Sequence, residues 1–316
     1  SPDAPGGTYT VTCELMDLDS GSAFLATDSD TFDVAVEDPT VTVACPSGEL
    51  TRDTGFDITS TADNPLGGVL ISGARFRITL DGPVEFEGDP GDIFTITDVN
   101  HTGDTEGVNS TFSLVGGDFV GYWGPGSGFP MPIDYSATTV FTVEMNGTTP
   151  APGGEYSVLV ELIDVDNGDE VLASASDTFD LEAADPVVLV DCPDVDVQRA
   201  TDFTIVSEAE NPPAGAPIES ARFRITLDGP VDFTGDREDV FTITEVDGNP
   251  DTQGINDTFA LDSGDFVGYW GPGSGFPMAP GYDATTEFTV QMSDTPAAPA
   301  GTYTVTVELI DVSNGD

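Results

Sequence analysis

One stretch of this chain occurs twice. Gly117 to Met131 is repeated letter for letter at Gly264 to Met278. Cys45 and Cys192 stand at the same separation, 147 residues, as do the segments Arg75 to Leu80 and Arg222 to Leu227. Tyr9, Tyr156 and Tyr303 keep that spacing across three copies. No insertion or deletion is needed, and about three positions in five agree between copies, which marks a duplicated structural unit. Such a chain is expected to fold as modules in series, because one large core would have to treat two copies of one sequence differently.

The phase of the repeat divides the chain. Residues 1–38 read as the C-terminal part of a preceding repeat, 39–185 as a complete one, and 186–316 as a repeat lacking its last strand. An unfinished sheet edge exposes N–H and C=O groups that invite association. Two readings follow. In the first, favoured one, the chain is a slice of a longer repeating polymer. In the second, residues 24–36 of one copy supply the strand that the C-terminal repeat of the next copy needs. The second leaves the Tyr9 to Asp17 strand present twice.

The pattern within a repeat is that of strands. Tyr156 to Asp164 alternates apolar and polar residues, runs into the turn signal Asp166-Asn167-Gly168-Asp169, and returns over Glu170 to Leu181. Val41 to Cys45, Phe56 to Ser60, Ala74 to Leu80, Ile93 to Val99, Thr111 to Val115 and Thr138 to Met145 read as further strands, with Gly and Pro in the gaps. No amphipathic helix of ordinary length is visible. Many short strands separated by turns imply an all-β chain of tandem β-sandwich modules. The segment from Gly121 to Pro130 reads as a Gly- and Pro-rich loop.

Charge bounds the partners. The chain carries 58 acidic and 7 basic residues, a net charge of −51, and every basic residue is Arg. Nucleic acid and anionic membranes need a basic surface, so both are excluded. Self-repulsion on this scale is screened in molar salt, where the Debye length is about 3 Å. No segment reaches the apolar length of a membrane span, and any targeting sequence is expected outside these residues.

Two resemblances add to this reading. The acidic, lysine-free composition resembles secreted proteins of halophilic archaea or acidic, calcium-rich bacterial surface layers. The series of Thr138 to Met145, Tyr156 to Asp164, the Asn167-Gly168 turn and the Phe179-bearing strand is similar to the end of immunoglobulin-like modules in tandem surface proteins. The resemblance implies immunoglobulin-like β-sandwiches in an extracellular filament, pilus-like fibre or surface layer. The partners would be copies of the chain or further repeats of it. The stalk of a surface adhesin is the alternative.

Several residues carry more specific expectations. Tyr122, Trp123 and Phe129, with Tyr269, Trp270 and Phe276, either plug one end of their sandwich, form an intermodule contact, or stack on sugar as in a carbohydrate-binding module. Arg75 and Arg77 share one strand face, as do Arg222 and Arg224. They either neutralise carboxylates of their own module or dock an acidic patch of a neighbour. Asp164, Asp166 and Asp169 surround a turn and offer hard oxygens to calcium, although Asp at a hairpin is also ordinary turn chemistry. Glu37, Asp38, Glu182 and Asp185, at the repeat junctions, resemble the intermodule calcium sites of cadherin-like arrays. Sequons at Asn100, Asn109, Asn146 and Asn256 are candidate sites of N-linked glycans. A Cys13–Cys45 disulfide is feasible and leaves Cys192 without the matching partner. No Cys/His cluster suggests zinc, and the single His101 has no nucleophile arrangement around it. No enzymatic activity is expected.

Overall fold

The computed structural model describes residues 6–17, 19, 23–102, 108–249 and 255–314. Strands dominate, and no α-helix occurs among the described residues. The chain divides into two compact units. Unit 1 comprises Ser1–Thr149 and Glu155–Leu181, and unit 2 comprises Pro150–Gly154 and Glu182–Asp316.

Unit 1 opens with a hairpin of β1 (Gly7–Asp17) and β2 (Ala23–Val34), which forms a two-stranded sheet of its own. There follow β3 (Thr40–Ala44), β4 (Glu49–Leu50), β5 (Phe56–Asn64), β6 (Ile71–Asp81), β7 (Phe94–Thr102) and β8 (Val108–Val115). Then come β9 (Asp118–Trp123), β10 (Phe129–Met131), β11 (Tyr135–Met145), β12 (Gly154–Asp164) and β13 (Glu170–Leu181). One sheet runs β3-β5-β11-β7. The other runs β4-β13-β12-β6-β9-β8, with β10 also paired to β6.

Unit 2 repeats this plan. Its strands are β14 (Val187–Asp191), β15 (Asp202–Asn211), β16 (Ile218–Asp228), β17 (Phe241–Asn249) and β18 (Ile255–Asp262). They continue with β19 (Asp265–Trp270), β20 (Phe276–Met278), β21 (Tyr282–Met292) and β22 (Thr304–Asp311). One sheet is β14-β15-β21-β17; the other is β18-β19-β16-β20, with β22 on β16. The chain is therefore an all-β protein of tandem β-sandwiches.

Alternation explains the layers. In β6 the side chains of Ala74, Phe76, Ile78 and Leu80 are buried, while Arg75, Arg77 and Thr79 between them are not. In β5 the inward set is Phe56, Ile58, Ser60, Ala62 and Asn64. A sheet packed on one face only requires this period of two. Antiparallel register brings Arg77 opposite Glu161, and Phe76 opposite Leu162.

Part of the chain differs from the sequence expectation. Half of the supposed Gly- and Pro-rich loop is sheet: β9 and β10 pair successive stretches of one edge of β6, and Gly124 to Gly128 turns between them. Gly128 makes that turn possible. Its φ is 72°, and a Cβ there would lie 2.5 Å from the carbonyl carbon of Gly73. No other residue fits both the left-handed backbone and that approach. Gly275 repeats the arrangement against Ser220, with φ 76°.

Candidate assembly surface

Of the aromatic residues singled out by sequence, Trp123, Trp270 and Phe129 are buried, while Tyr122 and Tyr269 lie on the opposite strand face from the tryptophans. Trp123 is 2% exposed and Trp270 is 1% exposed. Each leaves no ring face for a sugar or a neighbouring molecule. Trp123 packs 4.6 Å from Phe76 on its own sheet and edge-on at 5.5 Å to Phe141 on the other. Trp270 does the same with Phe223 and Phe288. Phe129 is buried as well, and Phe276 packs against the core of unit 2. The tryptophans thus sit between the sheets. They form no outward contact. Flanking glycines had made a core strand look like a loop.

The arginines act within their units. The Arg75 guanidinium lies over the Tyr122 ring at 4.1 Å, and Arg222 lies over Tyr269 at 4.3 Å. Arg77 Nε donates to Glu161 at 2.6 Å, and Arg224 pairs with Glu308 at 2.7 Å. The pairs bridge β6 to β12 and β16 to β22. In so acidic a chain, each offsets a carboxylate that the cross-strand register would otherwise leave among its own kind.

The carboxylates at 164, 166 and 169 do not gather into a calcium site. Asp164 Oδ1 instead accepts the backbone N–H of Asp166 at 3.1 Å, capping the short 3-10 turn Val165–Asn167, which Gly168 closes at φ 75°. No group of three potential ligands suited to a metal occurs among the described residues, the junction acids Glu37, Asp38, Glu182 and Asp185 included. The cysteines also differ from expectation. Cys13, Cys45 and Cys192 are all free thiols. Cys13 is exposed on β1, and Cys45 is held elsewhere, its N–H donating to Asp177 at 2.7 Å. Burial, and then the Asp177 carboxylate, push the Cys45 thiol up to about 12. A thiol so rarely ionised is a poor nucleophile. Cys45 is therefore expected to be alkylated by iodoacetamide at pH 8 far more slowly than exposed Cys13, as read by peptide mass spectrometry. Equal rates would contradict the packing of β13 over Cys45.

The glycan candidates are placed unequally. Asn100 is exposed on β7, its amide donating to Asp98 at 3.2 Å. Asn146 is committed to a turn: its amide donates to Gly91 O at 3.0 Å and its oxygen accepts from Thr148 N at 2.8 Å. The side chains of Asn109 and Asn256, like that of His101, lie outside the described residues.

A second feature is repeated in both units. At the start of β9, burial holds the Asp118 carboxyl above its ordinary range. The Asp81 carboxylate, which also hydrogen-bonds it, and Glu85 add to the effect. Asp265 is raised in the same way, by desolvation and then by Asp228 and Asp232. An acid whose pKa rises on folding binds its proton more tightly in the fold than in the unfolded chain. Its contribution to stability therefore falls as pH rises from the ordinary carboxylate range through the raised value. Asp118→Asn is expected to raise the melting temperature of unit 1 at pH 7 and to flatten that slope, as followed by calorimetry. A lower melting temperature at pH 7 would count against this.

The outward apolar surface lies elsewhere, where the two units differ. In unit 1, β13 pairs with β12 and closes the space between the sheets. Its Phe179 stacks on Tyr156 at 5.2 Å and tilts onto Phe56 at 5.0 Å, and the residual cavity among Ile58, Ile78, Val158 and Phe179 is about 40 Å³. In unit 2, β22 pairs with β16 on one side and with no strand on the other among the described residues. The corresponding space is a cleft of about 990 Å³, lined by Cys192, Phe203, Ile205, Tyr303, Val305 and Val307. The hairpin of β1 and β2 is the opposite case. Phe24 is 67% exposed and Phe32 is 52% exposed, with Val11 and Leu15 also outward. Two strands with apolar residues on the outside are marginal alone in water. The sequence placed residues 24–36 as a strand of a partial repeat, which is how the hairpin stands here, as a two-stranded sheet of its own.

No protein-family model matches this chain, and no curated protein matches it. Solved structures that resemble it include AvmM, which catalyses macrocyclization in alchivemycin A biosynthesis. That likeness has 10% identity over 49% of this chain and 93% of that one, with a TM-score of 0.33. The C-terminal domain of the AgI/II polypeptide BspA from Streptococcus agalactiae resembles it at 10% identity over 86% and 96%, with a TM-score of 0.25. The B domain of a biofilm-associated protein does so at 11% identity over 86% and 82%, with a TM-score of 0.27. Domains of bacterial surface proteins thus stand among its structural neighbours, at a level of likeness that carries no argument about what this chain does. Among the described residues, no helix is long and apolar enough to cross a membrane.

Proposed function

We propose that this chain is a structural component of an extracellular assembly, a filament, pilus-like fibre or surface layer built from β-sandwiches in series. The observation that carries the reading is where the recognition chemistry goes. Trp123, Trp270 and the four strand arginines are engaged within their own units. What the described residues present outward is chiefly acidic and hydroxyl-bearing strand surface, which suits β-sandwiches that act in series. The partners are copies of the chain or further repeats of it, and the reading includes no catalytic step, no calcium and no nucleic acid. The charge of −51 suits a surface bathed in concentrated salt, where like-charged subunits can approach. N-linked glycan at exposed Asn100 belongs to the same reading.

Electron microscopy of the purified chain in molar salt tests it. Ordered filaments or sheets are the expected result. Isolated rods would favour an adhesin stalk, and compact monomers that bind glycans would overturn the structural reading.

A further inference from the structure

We infer that Asn167 is a site of covalent self-modification, where the side-chain amide is lost by cyclisation onto the Gly168 nitrogen, and that the same dipeptide at Asn146-Gly147 is held against this reaction.

An asparagine followed by glycine can close on itself. The glycine nitrogen gives up its proton and attacks the asparagine Cγ. The Cγ–Nδ2 bond breaks, and the amide leaves with that proton as ammonia. The product is a five-membered succinimide. Water then opens the ring at one of its two carbonyls. One opening gives aspartate; the other gives isoaspartate, with the backbone routed through Cγ. Glycine favours the step because no Cβ shields its nitrogen. The chain has three such dipeptides, beginning at 146, 167 and 314. The last runs beyond the described residues.

The structure separates the other two. Asn146 is held at every atom that the reaction uses. The nucleophile, Gly147 N–H, donates to Asp53 Oδ1 at 2.9 Å. The leaving amide donates to Gly91 O at 3.0 Å. Asn146 Oδ1 accepts from Thr148 N at 2.8 Å and from Thr149 N at 3.2 Å, which fixes the side chain in its turn. A Cβ on Gly147 would run into the Asp53 carboxylate, so there is little free space beside the nitrogen. Asp53 is fixed in turn, its own N–H donating to Met145 O at 2.9 Å.

Asn167 stands in the open. Asn167, Gly168 and Asp169 are all exposed at the tip of the hairpin between β12 and β13. A Cβ on Gly168 would meet nothing within 4 Å. The Asn167 amide donates to Glu170, an exposed residue of the same hairpin. The backbone there is a single 3-10 turn, Val165–Asn167, whose hydrogen bonds are poorer than those of an α-helix. Exposed turns of this kind open at little cost. Either product adds a carboxylate beside Asp164, Asp166, Asp169 and Glu170. Isoaspartate also adds a methylene to a turn whose length sets the register of β13 on β12.

The test ages the full chain in mildly alkaline buffer with molar potassium chloride. Conversion at each site is followed by peptide mass spectrometry, with fragmentation that separates aspartate from isoaspartate. Asn167 is expected to convert at least about tenfold faster than Asn146, which must first open locally. In urea the two rates should converge, because only the fold distinguishes the sites. Asp53→Gly suits the left-handed backbone of that position, φ 55°, and should speed Asn146 while unit 1 still melts cooperatively. Asp53→Asn keeps an acceptor and should leave Asn146 slow. Equal rates at the two sites in the folded chain would overturn the inference. So would an Asn167 that stays intact in the fold and reacts only in urea, or an Asn146 indifferent to Asp53→Gly.

Discussion

Trp123→Ala is expected to destabilise unit 1 by about 3–5 kcal/mol, the range for emptying a large aromatic site in a packed core. Trp123 touches both sheets at once, through Phe76 on one side and Phe141 on the other. Few side chains in the unit could leave a larger void. For a domain of this size the melting temperature should fall by on the order of 10 °C or more. Trp270 is the only other tryptophan. Fluorescence of the variant therefore reports unit 2 alone, and that transition should not move. Trp123→Phe should cost much less. It keeps a ring between the sheets and removes an indole N–H that is buried without an acceptor, a group whose burial costs about 1–3 kcal/mol. A loss under about 1 kcal/mol for Trp123→Ala, by urea or thermal unfolding, would place the side chain outside the core and reopen the contact reading.

The sequence disclosed the repeat and most of the sheet, and missed what glycine conceals. β5, β6, β11, β12 and β13 announce themselves by alternation, because each buries one face with side chains of ordinary size. β9 alternates as well, with Phe119, Gly121 and Trp123 inward. Its middle inward position is a glycine because the Phe112 ring lies where a Cβ would stand, 2.8 Å away. A strand whose inward side chain is supplied by its neighbour cannot be read from its own letters. The same holds for function. That Trp123 is buried, that Arg77 meets Glu161, and that Cys45 is covered by β13 are facts of pairing between strands far apart in sequence.

Removing the amide of Asn64 is expected to cost about 2–4 kcal/mol. Asn64 ends β5 at 1% exposure, and its NH2 group donates to the carbonyls of Val69 at 2.8 Å, Pro132 at 3.0 Å and Met131 at 3.2 Å. One side chain thereby ties the turn after β5 to the end of β10. The bond to Met131 is buried and the other two are partly so, and a donor lost there leaves acceptors unpaired at about 1–3 kcal/mol for a buried group. Asn64→Ala adds a small void, and Asn64→Leu fills it without supplying a donor, so both should fall in the same range. Asn64→Asp separates shape from donation. At neutral pH it turns a carboxylate toward carbonyl oxygens and should be at least as damaging as Ala. On acidification the protonated carboxyl offers one O–H donor, and part of the loss should return. Asn211 repeats the clasp in unit 2, donating to Ala216 O at 2.9 Å and Met278 O at 3.1 Å. Substitutions at 64 and 211 touch no common partner, so their effects on the two transitions should be separate. Thermal melts of the three Asn64 variants at pH 7 and pH 4 decide the matter. If all three lie within about 0.5 kcal/mol of the parent, typical of surface substitutions, the amide is not the clasp that joins β5 to β10.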